Sequence, residues 1–303
     1  MNFAASRGRD YAGQNRVREN AIGYLFMLPA LCVLCYFLLV PAIRLFSLSF
    51  TNYALIAGKG DFIGLDNYKN MLGDRDFINA LKVTLHMVLL IVPIQTALAL
   101  TMAVFVNQPF RAVNAFRTVF FIPAIISFVA VCVMFKQMYS PSFGLANTML
   151  GALGIPRLQY LSNVRQALPS IVFTCVWKSW GYFMVIFLSG LQEIPGELRE
   201  AARIDGAGPV KEFLFITIPH LKKVTLFVVV ITTMDAIKLF IPTFVMTSGN
   251  PRGATDVVVH YIWRSAFRLE RVGYAAAMST VLFMIIVLVT LAQFRLGERK
   301  EDA

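Results

Sequence analysis

Ionisable and aromatic side chains inside long apolar runs are the first candidates for chemistry in this sequence. Lys178, Asp235 and Lys238 each stand within such a run. A charged group is costly in a membrane interior and often marks a substrate pathway there. Asp235 and Lys238 are three residues apart, so on a helix they would be neighbours that can also simply neutralise each other or meet a second subunit. Trp180 and Tyr182 follow Lys178 closely, and aromatic faces beside polar groups suit sugar rings, although the same residue types mark membrane interfaces.

A second candidate is the polar segment at residues 190–223, which predicts two short helices joined by a turn. Asp205-Gly206 predicts the turn, because glycine readily adopts left-handed backbone angles. Pro209 opens the second helix, where its missing N–H is not needed, and Pro219 ends it. A compact hairpin of this kind can dock into a groove on a soluble partner and transmit force.

Catalytic and metal-binding patterns are missing from the sequence. It contains neither paired carboxylates in a recognisable constellation nor a His-Glu-x-x-His or Gly-x-Ser-x-Gly pattern. The three histidines, His86, His220 and His260, lack the spacing of metal ligands. A Gly-x-x-x-x-Gly-Lys-[Ser/Thr] phosphate loop is also absent. We therefore expect no catalytic residue, no metal site and no cofactor bound by this chain.

The elements that must position the candidate residues are long apolar runs. Of the 303 residues, 57% are hydrophobic and only 15% are charged, against about a quarter charged in soluble domains. A membrane span needs about 20 residues, and backbone groups without water must bond within a helix or a closed barrel. The runs are continuous rather than alternating, which favours helices. Six runs are predicted to span the membrane: 22–40, 83–106, 118–135, 167–189, 224–246 and 272–294.

The fold class expected from these runs is all-α, a polytopic membrane helical bundle with about six transmembrane helices. Pro29, Pro93 and Pro123 lie inside runs and should kink them. The domain organisation follows: a basic amino terminus at 1–21, a transmembrane domain at 22–294 and a tail at 295–303.

Charge distribution sets the expected orientation. With six spans, both termini lie on one side, and the segments on that side hold 14 Lys and Arg in 75 residues, against 12 in 98 on the other side. Positive charge favours the cytoplasmic face, so we expect both termini in the cytoplasm. The net charge of +11 then indicates contact with anionic lipid and no nucleic-acid partner.

The loop sequence carries a specific resemblance. The loop contains the pattern Glu-Ala-Ala, three residues, Gly, nine residues, Ile, one residue and Ile-Pro. This pattern resembles the EAA loop of binding-protein-dependent ABC importers, which has Leu where this chain has Ile218. Residues 24–30 and 273–278 are similar to the first and last spans of the MalF-like branch of sugar-type permeases. In that family the loop forms a coupling helix in a cleft of the ATP-binding subunit. The resemblance implies the following coupling residues: Glu200, Ala201, Ala202, Asp205, Gly206, Ile216, Ile218 and Pro219.

The same resemblance implies the function and the partners. The chain would be the permease subunit of an ATP-driven importer of a mono- or oligosaccharide in a bacterial inner membrane. It would pair with a MalG-like second permease, two ATP-binding subunits that hold ATP and magnesium, and an extracytoplasmic substrate-binding protein. Such a chain is not itself an enzyme. Two alternatives stay open: the same importer class carrying glycerol 3-phosphate or a related polyol ester, and a self-contained secondary transporter, which usually shows inverted repeats or broken helices at the membrane midplane.

Overall fold

The computed structural model describes residues 24–298, apart from the side chains of Arg203 and Glu298. Within that part the chain is helical, with isolated β-bridges and no strand, which confirms the all-α fold class. The predicted basic amino terminus, 1–21, lies outside the described residues. Of the predicted tail, 295–303, the residues from 299 onward lie outside them as well.

The helices are numbered here in chain order. They are α1 (Tyr24–Leu48), α2 (Asp66–Gly73), α3 (Arg75–Val106), α4 (Val113–Ile125), α5 (Phe128–Met138), α6 (Leu145–Ala152), α7 (Val164–Gln192), α8 (Gly196–Ile204), α9 (Pro209–His220), α10 (Lys222–Ile237), α11 (Val258–Phe267) and α12 (Val272–Glu298).

Six membrane spans can be built from these helices. α1, α3, α7 and α12 are unbroken, and each is long and apolar enough to cross a membrane. The pair α4 and α5 meets at a bend of 95°, and the pair α9 and α10 meets at a bend of 66°. Counting each bent pair as one span gives the predicted number.

The kink expected at Pro123 is a complete break, because the helix ends after α4, where Ile126 takes an extended backbone conformation three residues after Pro123. The expectation that the fifth run, 224–246, is continuous was wrong. This run leaves the helix after Ile237 and becomes helical again at Ile241, with a π-helical segment at Thr243–Thr247. Pro242 explains the second interruption, because it has no N–H to donate to the carbonyl four residues earlier, at Lys238.

The core of the bundle is organised around α3. Three clusters of buried apolar side chains hold the helices together, and α3 contributes to each of them, for example with Met87, Ala80 and Ala103. α7 joins two of the three clusters, with Ile171 in one and Met184 in another. The apolar side chains of α1, by contrast, are exposed along the helix, as expected of a surface that faces lipid.

Gly181 on α7 allows α4 to approach closely. A Cβ atom at this position would overlap the carbonyl oxygen of Phe120 on α4. Small residues at helix contacts let backbones pack at short range in membrane proteins. The absence of a side chain at Gly181 therefore fixes the distance between α7 and the broken third span.

Replacing Gly181 with alanine tests this packing. We expect Gly181→Ala to destabilise the folded chain by about 1–3 kcal/mol, since an added methyl group in a tight contact forces a backbone shift. The matched control is Gly151→Ala on α6, where a Cβ atom meets nothing within 4 Å. Thermal unfolding of the two purified variants measures the difference, and equal midpoints would contradict the close approach.

Candidate functional site

A cavity of about 500 Å³ lies where the two broken spans meet α7, and we call it the central cavity. Phe128 borders it at the start of α5, Lys178 on α7, and Gln95 on α3. Residues 238–242, which include the interruption of the fifth run at 238–240, form another part of its wall. Its volume falls within the range of about 300–1,000 Å³ that is usual for small-molecule sites.

Lys178 lies in the middle of α7, and its side chain bonds to the backbone at the break in the third span. Its Nζ donates a hydrogen bond of 3.1 Å to the carbonyl oxygen of Ala124, in the last turn of α4. Carbonyls in a last turn have no donor within their own helix, so the lysine supplies one. The ammonium also lies 5.4 Å from the centre of the Phe128 ring. A lysine at the centre of a membrane helix carries an insertion cost of about 2.5–3.5 kcal/mol, and this position is therefore expected to serve a purpose.

Asp235 and Lys238 form an ion pair at the end of α10. Their side chains are 3.8 Å apart, at Oδ1 and Nζ, and roughly half exposed, at 64% and 51%. An exposed pair of this kind contributes only about 0–1 kcal/mol to stability. Both residues border the central cavity, so the structure brings them together with Lys178.

Trp180 and Tyr182, the aromatic residues expected beside Lys178, do not join it. Neither is among the described residues that line the central cavity. The Trp180 ring packs on Phe120, with centroids 5.0 Å apart, and Tyr182 is exposed beside Phe183. Trp180 lies two positions after Lys178 and therefore projects to the opposite side of α7, whereas Tyr182 lies one turn beyond Lys178 on the same side of the helix.

A row of aromatic rings that the sequence did not indicate runs outward from the cavity. Phe240 lines the cavity and stacks on Phe244 at 5.1 Å between ring centroids. Phe244 in turn meets Trp263 of α11 edge-on at 4.7 Å. α11 is a short helix outside every predicted span, so no periodicity connects Trp263 with the fifth run.

The buried Asp256 carboxylate, just before α11, contacts two side chains of that helix. The Asp256 carboxylate lies 2.6 Å from Nδ1 of the buried His260 and 3.2 Å from a guanidinium nitrogen of Arg264. Buried charges need partners of this kind, because an unpaired one is strongly destabilising. Both contacts lie within the segment 256–264, so they stabilise the first turns of the helix that carries Trp263.

Asp74 ties α3 to both α11 and α12. Its carboxylate accepts hydrogen bonds from the hydroxyls of Tyr261, at 2.6 Å, and Tyr274, at 2.7 Å. It also caps α3 by accepting from the backbone N–H groups of Asp76 and Phe77. Burial alone would raise the pKa of Asp74, but these four hydrogen bonds outweigh burial and hold the pKa below its usual value.

The predicted loop forms a hairpin made of α8, a turn at Gly206 and α9, which we call the EAA hairpin. Gly206 has φ +80°, the left-handed angle expected of it. Most of the proposed coupling residues are exposed, and two are partly covered. The exposed ones are Glu200, Ala201, Asp205, Gly206, Ile218 and Pro219, and the partly covered ones are Ala202 and Ile216.

Two boundaries of the loop differ from the prediction. α7 continues to Gln192, so the first residues of the segment 190–223 belong to the fourth span. Pro219 does not end the second helix, which runs on to His220 and bends at Leu221. The preceding π-helical segment, Phe213–Thr217, explains this, since its wider turn gives room to the carbonyl that a proline ring would otherwise strike.

Arg199 fastens the EAA hairpin to the bundle. Its guanidinium donates to the carbonyl oxygen of Leu191, in the last turn of α7, at 3.1 Å, and its Nε lies 4.0 Å from the Glu212 carboxylate of α9. The arginine therefore connects both helices of the hairpin to the end of α7. The outer surface of the hairpin is apolar in places, with Ile204 and Phe215 strongly exposed, as expected of a docking surface.

The chain matches a family model described as "Binding-protein-dependent transport system inner membrane component" over residues 84–301. It is 31% identical to the trehalose/maltose transport system permease protein MalF of Thermococcus litoralis, over 95% of this chain and 97% of the relative. It is 32% identical to the arabinooligosaccharides transport system permease protein AraP of Bacillus subtilis, over 92% and 89%. A crystal structure of a bacterial alginate ABC transporter, in complex with an alginate pentasaccharide-bound periplasmic protein, contains a chain with the same fold, at a TM-score of 0.83, 23% identity and coverage of 94% and 96%.

The Asp74 network makes a pH-dependent contribution to stability. Because the pKa of Asp74 is lowered in the folded chain, its contribution is complete above the unfolded pKa of about 3.9 and is lost as the pH falls through the folded pKa. We expect Asp74→Asn to lower the unfolding temperature at pH 7. The difference in unfolding temperature between this variant and the wild type should become smaller below about pH 4. Thermal unfolding of the purified chain across pH 3–7 measures this, with the exposed Asp61→Asn as control. A gap that stays constant with pH would contradict the ionised state of Asp74.

Proposed function

This chain belongs to the family of binding-protein-dependent transport system inner membrane components, the permease subunits of ABC importers, and we propose that it carries a saccharide through the central cavity. The observation that carries the proposal is the position of this cavity, beside the break of the third span and the interruption of the fifth run at 238–240. Irregular backbone at membrane depth is tolerated where it lines a cavity or is buried in protein. A polar passage through the bundle is the use that such interruptions allow.

A saccharide fits the cavity wall better than the alternatives. The wall combines rings, from Phe128 and Phe240, with ionic groups and the amide of Gln95. Rings cover the apolar faces of a sugar, and the polar groups bond its hydroxyls. Relatives in this family are named for trehalose and maltose, arabinooligosaccharides and lactose, which disfavours glycerol 3-phosphate. Membership of the family also disfavours a self-contained secondary transporter, although broken spans occur in that class too.

The proposed drive is a partner ATP-binding subunit that docks on the EAA hairpin. Glu200 and Ala201 stand exposed on α8, where the small alanine allows close approach and the glutamate offers a polar anchor. Through Arg199 the hairpin is fixed to α7, which carries Lys178, and through α9 it continues into α10, which ends at the cavity. Closure of the ATP-binding subunits would therefore move both walls of the cavity at the same time. ATP binding and hydrolysis would bias the inward-open and outward-open populations.

The assembly proposed around this chain has four kinds of component. A MalG-like second permease would complete the channel, and two ATP-binding subunits would hold ATP and magnesium, so that this chain itself is not an enzyme. An external binding protein would deliver the saccharide. In this arrangement both termini and the EAA hairpin, within the segment 190–223, lie in the cytoplasm of a bacterium, and the transmembrane domain extends over 22–294.

Gly206 provides a test of the coupling role. Valine at this position would have to adopt φ +80°, and left-handed angles cost L-residues about 1–2 kcal/mol or more when the side chain is β-branched. We expect Gly206→Val to reduce saccharide-stimulated ATP hydrolysis and uptake by at least tenfold in the reconstituted importer. The measurements are the rate of sugar uptake and the rate of saccharide-stimulated ATP hydrolysis, each determined separately in proteoliposomes.

The matched control is Gly208→Val, two residues further along the same turn. Gly208 has φ −71° and open space around its Cβ position, so valine fits without strain. We expect it to retain most of the wild-type coupling. Normal coupling in Gly206→Val, or equal losses in both variants, would contradict the role assigned to this turn.

A further inference from the structure

We infer that the cargo of the central cavity carries a carboxylate, as a uronic-acid-containing saccharide does, and that Lys178 is the residue that binds it. The inference rests on the proposed carbohydrate import and specifies the class of saccharide. It follows from the balance of charge around the cavity and from the unused hydrogen-bond donors of one side chain.

The wall of the central cavity has one positive charge in excess. Three ionic side chains line it: Lys178, Asp235 and Lys238. Asp235 and Lys238 lie 3.8 Å apart and balance each other. Within the described part of the chain, no carboxylate lies within 4 Å of the Lys178 ammonium. A charge held at membrane depth without a counter-ion is unfavourable, so a bound anion would find a ready partner here.

Lys178 also has unused hydrogen-bond donors. An ammonium group carries three N–H donors, and one of them is used by the carbonyl of Ala124. The Phe128 ring lies on another side of the ammonium, at 5.4 Å from its centroid. The remaining donors can bond a carboxylate from the cavity, and a hydrogen bond between two charged groups is roughly twice as strong as a neutral one.

The size of the excess charge favours a carboxylate over a phosphate ester. A carboxylate carries one negative charge and cancels the surplus. A phosphate monoester carries about −1.5 to −2 at neutral pH and would leave the cavity negative. Phosphate sites also commonly use arginine for bidentate contact, and the described cavity wall contains no arginine. Phe128 and Phe240 in the same wall suit the ring of a saccharide.

A purely structural role for Lys178, as the cap of α4, can be separated from this binding role. Glutamine at position 178 keeps an N–H donor for the Ala124 carbonyl but loses the charge, whereas arginine keeps both. The probes are galacturonate and galactose, which differ only in having a carboxylate or a hydroxymethyl group on the sugar ring, so that the acidic probe carries a single negative charge. Binding of each probe is measured by equilibrium dialysis on the purified importer, assembled from its permeases and ATP-binding subunits, without the external binding protein.

For the wild type we expect galacturonate to bind at least tenfold more tightly than galactose, the scale of a hydrogen bond to a charged group. In Lys178→Gln the ratio of the two affinities should fall close to one while the unfolding temperature changes little, and in Lys178→Arg most of the preference for galacturonate should remain. An affinity ratio near one in the wild type, no binding of galacturonate, or an unchanged ratio in Lys178→Gln overturns the inference. Tighter binding of glycerol 3-phosphate than of galacturonate overturns the carboxylate assignment as well.

The inference and the proposed function fail in different ways. ATP-driven uptake of neutral saccharides by proteoliposomes, with no preference for acidic ones, would overturn the inference but would still support the proposed function as a saccharide importer. Absence of ATP-driven uptake for every saccharide offered, acidic or neutral, would contradict the proposed function itself.

Discussion

Backbone hydrogen bonding in a medium without water is the constraint on which this structure depends. Each peptide group in the membrane must find a partner in the protein, so the long apolar runs become helices. Where the chain nevertheless leaves the helix, lysine side chains supply the missing donors. Lys178 serves the Ala124 carbonyl at the break in the third span, and Lys136 of α5 serves the Val245 carbonyl, at 3.1 Å, in the π-helical segment of the fifth.

The two interruptions create the site. A straight helix presents only side chains, whereas a broken one also exposes polar backbone and changes direction. Phe128, which follows the break at 126–127, and the interruption at 238–240 both border the central cavity, together with Lys178 of α7 and the ion pair of Asp235 and Lys238. Both cavity walls continue into the EAA hairpin, one through α7 and Arg199 and the other through α10. The geometry therefore connects a polar site within the membrane to an exposed hairpin on which an ATP-binding subunit can dock.

The sequence was informative wherever the signal is local. Uninterrupted apolar length predicted the spans, and the spacing around Gly206 predicted the turn that the structure shows at φ +80°. Pro123 predicted a kink in the third run, but the size of that break and the interruption of the fifth run were not predicted, because the residues on both sides are apolar. The hydrogen bond from Lys136 to the Val245 carbonyl joins residues 109 positions apart and also has no local signal in the sequence. The row from Phe240 to Trp263 was invisible for the same reason, since packing between α11 and the fifth run brings it together.

The most direct test of the central claim, that this chain works as the membrane half of an ATP-driven machine, is its composition in native membranes. A tagged copy would be purified in mild detergent, and the proteins that accompany it identified and counted by mass spectrometry. We expect one second permease and two copies of an ATP-binding subunit for each copy of this chain, with an external saccharide-binding protein recovered when its ligand is supplied. Repeated recovery of the chain folded and free of any ATP-binding subunit would contradict the role of the EAA hairpin and of the channel built above it.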